Sequence, residues 1–372
     1  MSGLRVLFDA TSIPRDRAGV GRYVEGLLSA FASDAHGIDL VVVAKPADVD
    51  GFRALGLETV AAPERTASTS YRLLWEQVGL PGLAKRLGCT VIHSPHYTFP
   101  LLTRLRRVVT IHDLTFFTMP EVHTRVKAPT FRWWIRRVAR TKHRVIAVNE
   151  ATATEFTRIA HGDRAFVTVA HHGFDRAVFH PPTEAEITAF ASAHDLEPRQ
   201  WIAFLGTLEP RKNLPALVAA YSSIAGPGIP PLLLVGGDGW GANLDGVIAS
   251  AIEGGADIRT LGYLPVEQLR AFLGGSAIVV YPSLGEGFGL PVLEAMASGA
   301  AVLTTRALSL PEVGGDAVAY AETNAPSIAA GMMALIHDND ERTRLAAAGI
   351  ARAADFTWHA SAAAHAAAYQ LP

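Results

Sequence analysis

Short apolar, β-branched runs alternate with helix-prone segments along this 372-residue chain. In the first half the runs fall at residues 5–9, 40–44, 91–94, 108–112, 144–148 and 167–170. A second series begins at 201–206 and continues at 232–235, 258–261, 278–281 and 301–304. Strands buried on both faces read as unbroken hydrophobic runs, and strands separated by helices pair in parallel. The pattern predicts an α/β protein of two doubly wound, Rossmann-like domains, with a ligand cleft between the carboxyl ends of their strands. The paired prolines of His180-Pro-Pro-Thr183 continue neither strand nor helix and set the expected boundary. The domains are then 1–180 and 181–355, followed by an alanine-rich, helix-prone tail, 356–372.

Composition agrees with two sizeable cores. The chain is longer than one core usually serves, with 49% hydrophobic and 18% charged residues. A single cysteine, Cys89, excludes an internal disulfide and suits a reducing compartment. The first residues become strand-like at once without an apolar signal core, and no apolar run is long enough to cross a bilayer. The expected location is therefore cytoplasmic. Net charge is −2, but it is unevenly placed. Residues 1–180 hold 24 Lys and Arg against 16 Asp and Glu, net +8; the remainder hold 9 against 19, net −10. Two halves of opposite sign meet chemically different partners.

The candidate chemistry is densest in Ser283-Leu-Gly-Glu-Gly-Phe-Gly-Leu-Pro-Val-Leu-Glu-Ala-Met-Ala-Ser-Gly299. An apolar strand precedes it, and Pro291 followed by good helix formers places Glu286 in a loop and Glu294 in a helix. Backbone N–H groups near Phe288, Gly289 and Leu290 then form a helix start able to hold phosphate. An anion site flanked by two carboxylates suits a nucleotide sugar, with phosphates at its centre and polyols at both ends. Arg211 and Lys212 follow the first strand of the second half and are its only cations between Arg199 and Arg259. Adjacent cations at such a turn fit a diphosphate. Gly19 and Gly21, in Arg17-Ala-Gly-Val-Gly-Arg-Tyr23, allow close approach of backbone to a ligand. His112 and Asp113 end a strand, whose carboxyl end faces the cleft in such folds, and His96 and Tyr97 in His93-Ser-Pro-His-Tyr97 follow another; His96, Tyr97 and Asp113 fall on the expected acceptor side. Neither a supported Asp-x-Asp motif nor a Cys/His cluster with ligand spacing is present, so no metal is expected.

Two carboxylates separated by seven residues around Gly-Phe-Gly-Leu-Pro resemble the signature of family 4 glycosyltransferases. The likeness extends through Phe204-Leu-Gly-Thr-Leu-Glu-Pro-Arg-Lys-Asn-Leu214 and covers nearly the whole chain. It implies the GT-B architecture, with the last helix crossing back onto the first domain, and retaining, metal-independent transfer from a nucleotide sugar. No separate cofactor is implied. By this resemblance Glu286 holds the donor sugar, Glu294 the ribose, and Arg211 and Lys212 the diphosphate. His112 contacts the transferred sugar, the Gly19–Gly21 loop closes over the diphosphate or meets the acceptor, and Leu264 in Gly262-Tyr-Leu-Pro265 lies beside the base. Val235-Gly-Gly-Asp-Gly-Trp240 leaves room for the nucleotide. Thr207 departs from the family, many of whose members carry Arg there. GDP-mannose is the favoured donor, with UDP- and ADP-sugars as alternatives, and the acceptor is a glycan or a polyprenyl-diphosphate-linked glycan.

Residues 122–149 lack any acid but carry eight Lys and Arg interleaved with Phe131, Trp133 and Trp134. Such a basic, aromatic helix over 125–144 suits an anionic membrane surface at the inner face of the plasma membrane, aided by Phe99 to Leu102 and Phe116 to Met119. The competing possibilities are a structural helix, a GT-B sugar-nucleotide epimerase, and an inactive sugar-nucleotide-binding assembly subunit. A nucleic-acid binder would leave the acidic half without a role.

Overall fold

A computed structural model describes residues 4–13, 19–237, 239 and 244–371. The chain forms two compact units. Unit 1 comprises Met1–Gly173 with Phe356–Pro372, and unit 2 is Phe174–Asp355.

Unit 1 is built on a seven-stranded sheet of β1 (Leu4–Asp9), β2 (Ile38–Ala44), β3 (Glu58–Ala61), β4 (Val91–Ser94), β5 (Arg106–Ile111), β6 (Arg144–Ala147) and β7 (Val167–Val169), ordered β3-β2-β1-β4-β5-β6-β7. Unit 2 holds six strands, β8 (Ile202–Leu205), β9 (Leu232–Val235), β10 (Ile258–Gly262), β11 (Ile278–Tyr281), β12 (Val302–Thr305) and β13 (Ala319–Ala321), ordered β10-β9-β8-β11-β12-β13. Every paired strand is parallel. Both sheets reverse direction beside their first strand, the doubly wound pattern that gathers ligand groups at carboxyl ends. Central strands such as Ile202–Leu205 and Val302–Thr305 are buried along their whole length, which explains why they read as unbroken apolar runs. The short edge strands β3 and β13 are half exposed and left no such signal.

The His180–Thr183 segment is part of unit 2 and is packed there. A Cβ on Gly274 would come within 2.6 Å of Pro182, and one on Gly299 would sit 3.7 Å from Pro181. Thr183 then opens the helix Glu184–Ala193 through a reciprocal cap with Glu186. The prolines fix a helix entry, and the crossing between units lies earlier, after Gly173.

The last helix, Trp358–Gln370, returns to unit 1. Thr357 caps it by accepting from the Ala360 N–H at 3.0 Å. Its Ala362, Ala366, Ala368 and Tyr369 join Tyr23, Leu27 and Phe31 of the helix Gly19–Ser33 in one core. Gly26 lets Trp358 lie flat against that helix, since a Cβ there would meet the indole at 2.2 Å.

Candidate functional site

In unit 2 the loop after β11 is fixed before its charges are placed. Thr305 Oγ1 donates to the Ser283 carbonyl (2.6 Å), and Ser309 Oγ, with one proton to give, lies 2.8 Å from the carbonyls of both Glu286 and Phe288. The Leu284 N–H donates to the Arg211 carbonyl at 2.9 Å, and Ser283 Oγ sits 3.0 Å from the same oxygen. The loop is thereby stitched to the turn that follows β8. Gly289 turns the chain into the helix Leu290–Ala297 with φ of 101°, a left-handed conformation that favours glycine.

Glu286 lies at the centre of this arrangement, 5% exposed. Its Oε1 accepts from Lys212 Nζ (2.8 Å), Tyr281 Oη (3.1 Å) and Ser283 Oγ (2.6 Å), while Oε2 accepts from Arg211 Nη1 (2.6 Å). Arg211 Nη2 donates in addition to Glu209 Oε1 at 2.8 Å. Lys212 also donates to the Tyr281 hydroxyl. Two cations thus face two carboxylates, and the four charges cancel. Burial pushes the Glu286 pKa up, but Arg211, Lys212 and the donated hydrogen bonds outweigh it and hold the carboxyl at about 2. Burial pulls Lys212 below the usual lysine range against the opposing pull of Glu286. Burial, reinforced by Glu286, raises the Tyr281 phenol well above its ordinary value.

The other donor residues expected in the second half belong to the same unit. Glu294 is 2% exposed in the second turn of the helix Leu290–Ala297, whose start carries Phe288, Gly289 and Leu290. Thr207 lies where two turns touch backbone to backbone. A Cβ on Gly236 would come within 2.0 Å of the Gly206 carbonyl oxygen, and one on Gly239 within 2.1 Å of that of Leu208. Asp238 and Trp240 of the same turn, like Arg17 and Ala18 of the first-domain loop, lie outside the described residues. Leu264 is half-buried between β10 and the helix Val266–Gly274.

In unit 1, Gly19 and Gly21 form the first turn of the helix Gly19–Ser33 instead of a loop. Gly21 is buried, whereas a Cβ on Gly19 would meet nothing within 4 Å. His112 follows β5, and its Nε2 donates to the Pro95 carbonyl at 2.8 Å, which fixes the tautomer. Burial lowers its pKa despite that bond and the nearby Asp113. Asp113 accepts from Thr115 N and Oγ1 at 3.0 and 2.6 Å, so its carboxylate shapes the next turn. Tyr97 is 3% exposed, with its hydroxyl accepting from the Asp113 N–H at 3.0 Å, whereas His96 retains some surface. Phe99 and Phe116, expected as membrane contacts, belong to the core at 1% and 7% exposure. Trp134 is also buried, but Trp133 is 52% exposed. Trp133 lines a hollow of about 390 Å³ with Arg132, Arg136, Arg137 and Arg140.

Three groups were not anticipated. Tyr281 and Ser283 complete the Glu286 network; both stand in the quoted motif or the strand before it, where only hydroxyls aimed at a buried carboxylate reveal them. Asp9, at the end of β1, is buried near Arg72 and Glu76 of the helix Thr69–Arg86. Glu76 Oε2 accepts from Arg72 Nη1 at 3.0 Å and from Thr98 Oγ1 at 2.6 Å. Burial carries Glu76 up to about 7 against the pull of Arg72. A charged pair four residues apart gave no sign that both members would be interior. Asp34, His36 and His359 bring potential ligand atoms within 4.8 Å of one another, a grouping that depends on the returning helix.

Two Rossmann-like units are those of the GT-B architecture, and the comparisons identify a glycosyltransferase. Residues 17–178 match the family "Glycosyltransferase Family 4", and residues 186–352 match "Glycosyl transferases group 1". The chain is 32% identical over 282 residues to the O-antigen chain mannosyltransferase B of Escherichia coli, covering 72% of this chain and 71% of the relative. This chain belongs to the family 4 glycosyltransferases. Its fold is similar to the sucrose-phosphate synthase of Thermosynechococcus elongatus (TM-score 0.75, 19% identity, 96% of each chain covered). It is likewise similar to Anabaena HepE in complex with UDP-glucose (TM-score 0.74, 18% identity, 96% and 97% covered).

Proposed function

We propose that this protein is a retaining, metal-independent mannosyltransferase that uses GDP-mannose to extend a glycan of surface-polysaccharide assembly. The observation that carries the reading is the buried, charge-balanced network of Glu286, Arg211, Lys212 and Glu209 beside the Gly289–Leu290 helix start. The mannosyltransferase named above supports the sugar.

In this reading Oε1 of Glu286 is the fixed end, held by three donors, and Oε2 is the working end. The donor diphosphate draws the Arg211 fork away and leaves Oε2 to accept a sugar hydroxyl. Lys212 and the helix N–H groups stabilise charge as the bond from the anomeric carbon to the phosphate oxygen breaks. The acceptor oxygen bonds the anomeric carbon on the same face and passes its proton to the departing phosphate. Glu294 holds the ribose. His112, neutral and with Nε2 committed to Pro95, contacts the transferred sugar. The acceptor is a glycan on a polyprenyl diphosphate, reached from the cytoplasmic membrane face through the 125–144 surface.

Release of nucleoside diphosphate, followed with GDP-, UDP- and ADP-sugars with and without a lipid-linked glycan acceptor, tests the proposal. Acceptor-dependent release of GDP with an α-linked product is the expected result. Preference for a UDP- or ADP-sugar overturns the donor, an inverted anomer overturns the mechanism, and equal release without acceptor overturns transfer.

A further inference from the structure

Three side chains with ligand chemistry meet at the amino end of β2, the edge of the unit 1 sheet opposite to the one that carries His112. The helix Gly19–Ser33 runs out at Asp34, whose N–H still donates to the Ala30 carbonyl at 3.0 Å. His36 and Gly37 then turn the chain into β2 with left-handed φ of 48° and 75°. In that turn the His36 N–H donates to Asp34 Oδ1 at 2.9 Å, which commits one carboxylate oxygen and leaves Oδ2 between two imidazoles. Oδ2 lies 3.7 Å from His36 Nδ1 and 4.0 Å from His359 Nε2. His359 stands in the first turn of the returning helix, held in place by the Thr357 cap and by Trp358 seated on Gly26.

These separations are too long for direct hydrogen bonds, and they suit a shared ion. Ligands of a tetrahedral zinc ion, each roughly 2.0–2.1 Å from the metal, stand about 3.3–3.5 Å from one another. The three ligand atoms already lie within 4.8 Å of one another. His359 and Asp34 are 62% and 50% exposed, so small rotations of their side chains close the set. His36 is the fixed member. Its Nε2 is enclosed without a hydrogen-bond partner and its ring meets Phe31 edge to face, so Nδ1 is the nitrogen that an ion reaches. The two imidazole rings are 4.7 Å apart and tilted by 56°, which leaves them unstacked. The His36 N–H holds the Asp34 carboxyl below its usual range, so the third ligand is an anion at neutral pH. Two imidazoles and one carboxylate select zinc-like divalent ions over Mg²⁺ and Ca²⁺, which take oxygen ligands.

We propose that Asp34, His36 and His359 bind a zinc-like divalent ion that clips the returning helix to the end of the helix Gly19–Ser33. The site goes beyond the transfer reading: all three residues belong to unit 1, and none of them holds the donor. Water takes the fourth position, since the protein supplies three ligands. The enclosed Nε2 gives His36 no supporting acceptor, so the affinity is on the order of micromolar, weaker than that of closed four-ligand zinc centres.

Calorimetric titration of the tag-free full chain with Zn²⁺ and with Mg²⁺, followed by thermal unfolding in each ion, tests the clip. One zinc ion per chain is expected to bind, and saturating zinc to raise the unfolding temperature of unit 1 by several degrees. Mg²⁺ is expected to do neither. His359→Gln and Asp34→Asn change exposed side chains, and Asn keeps an oxygen for the His36 N–H. Each variant is expected to melt like the unaltered protein without metal, to bind zinc at least about tenfold more weakly and to lose the zinc-dependent rise. Absence of one-to-one binding overturns the proposal, as does binding that both substitutions leave unchanged. Zinc that binds without raising the unfolding temperature overturns the clip.

Discussion

Glu286 illustrates how far a residue's meaning depends on its neighbours. Its place in a loop ahead of a helix follows from Gly-Phe-Gly-Leu-Pro, and its nearness to Arg211 and Lys212 follows from two adjacent parallel strands, β8 and β11. The sequence could not show that four donors converge on one carboxylate, because Tyr281 was legible only as the end of an apolar strand. Removing one member of a buried charge network leaves the others uncompensated, at a cost of about 3–5 kcal/mol. Glu286→Ala is therefore expected to lower Tm by several degrees and kcat by about 10²–10³. Glu294→Ala is expected instead to weaken nucleotide affinity with a smaller loss of turnover. Thermal shift with free GDP and steady-state kinetics check both, and equal loss of affinity in the two variants contradicts the division. The pH dependence has a definite sign. A carboxyl held at about 2 contributes its full stability above its ordinary value of 4.5 and loses it progressively as pH falls from there through 2, while Glu286 itself stays ionised across any practical activity profile.

The element that most rewards attention is the returning helix Trp358–Gln370. Its alanine-rich sequence was legible as helix, and the family resemblance gave its destination, but the reason for its attachment is polar. A chain of hydrogen bonds leaves and re-enters it: Tyr369 Oη donates to His93 Nδ1 (2.7 Å), His93 Nε2 to Thr110 Oγ1 (2.8 Å), Thr110 to Tyr23 Oη (2.9 Å) and Tyr23 to His365 Nε2 (2.8 Å). His365 Nδ1 closes it on the Ser361 carbonyl at 2.7 Å. That last acceptor can only accept, so the direction of every bond is set, and it requires both histidines to be neutral. Burial makes them so, lowering His93 well below 6.5 and His365 to about 4. A depressed histidine pKa contributes stability above the unfolded value near 6.5 that is lost as pH falls toward the folded one. Unit 1 is expected to lose Tm steadily between about pH 6.5 and 4. Tyr369→Phe, which strands His93 Nδ1, is expected to cost about 1–3 kcal/mol at neutral pH. Thermal unfolding across that range checks both, and a flat acid profile contradicts the neutral relay. No periodicity argument could find this chain, since its members come from four separate segments.

For the whole molecule, alternation of apolar runs with helical segments was enough to give two parallel-sheet units, because strands buried on both faces carry an unmistakable signal. Of the four edge strands, β7 and β10 were legible, while β3 and β13 escaped because exposure dilutes that signal; the boundary shifted because two prolines inside a packed unit look like two prolines in a linker. The crossing back of residues 356–371 has a further consequence. Unit 1 depends on a segment that follows unit 2 in sequence, whereas unit 2 is continuous, with its own sheet and none of the tail. A chain ending at Asp355 would lack Trp358 against Gly26, Tyr369 in the core and both ends of the hydrogen-bonded chain. Loss of a single buried aromatic costs about 3–5 kcal/mol, a large share of the 5–15 kcal/mol that holds a typical domain together. Unit 1 in the truncated chain is therefore expected to be unfolded at room temperature, while unit 2 keeps its fold and its affinity for the donor nucleotide. Calorimetry should show one unfolding transition in place of two where the full chain resolves them, and limited proteolysis should leave a fragment spanning residues 174–355. A truncated chain that melts like the intact one would mean that the sheet of unit 1 is sufficient without its last helix.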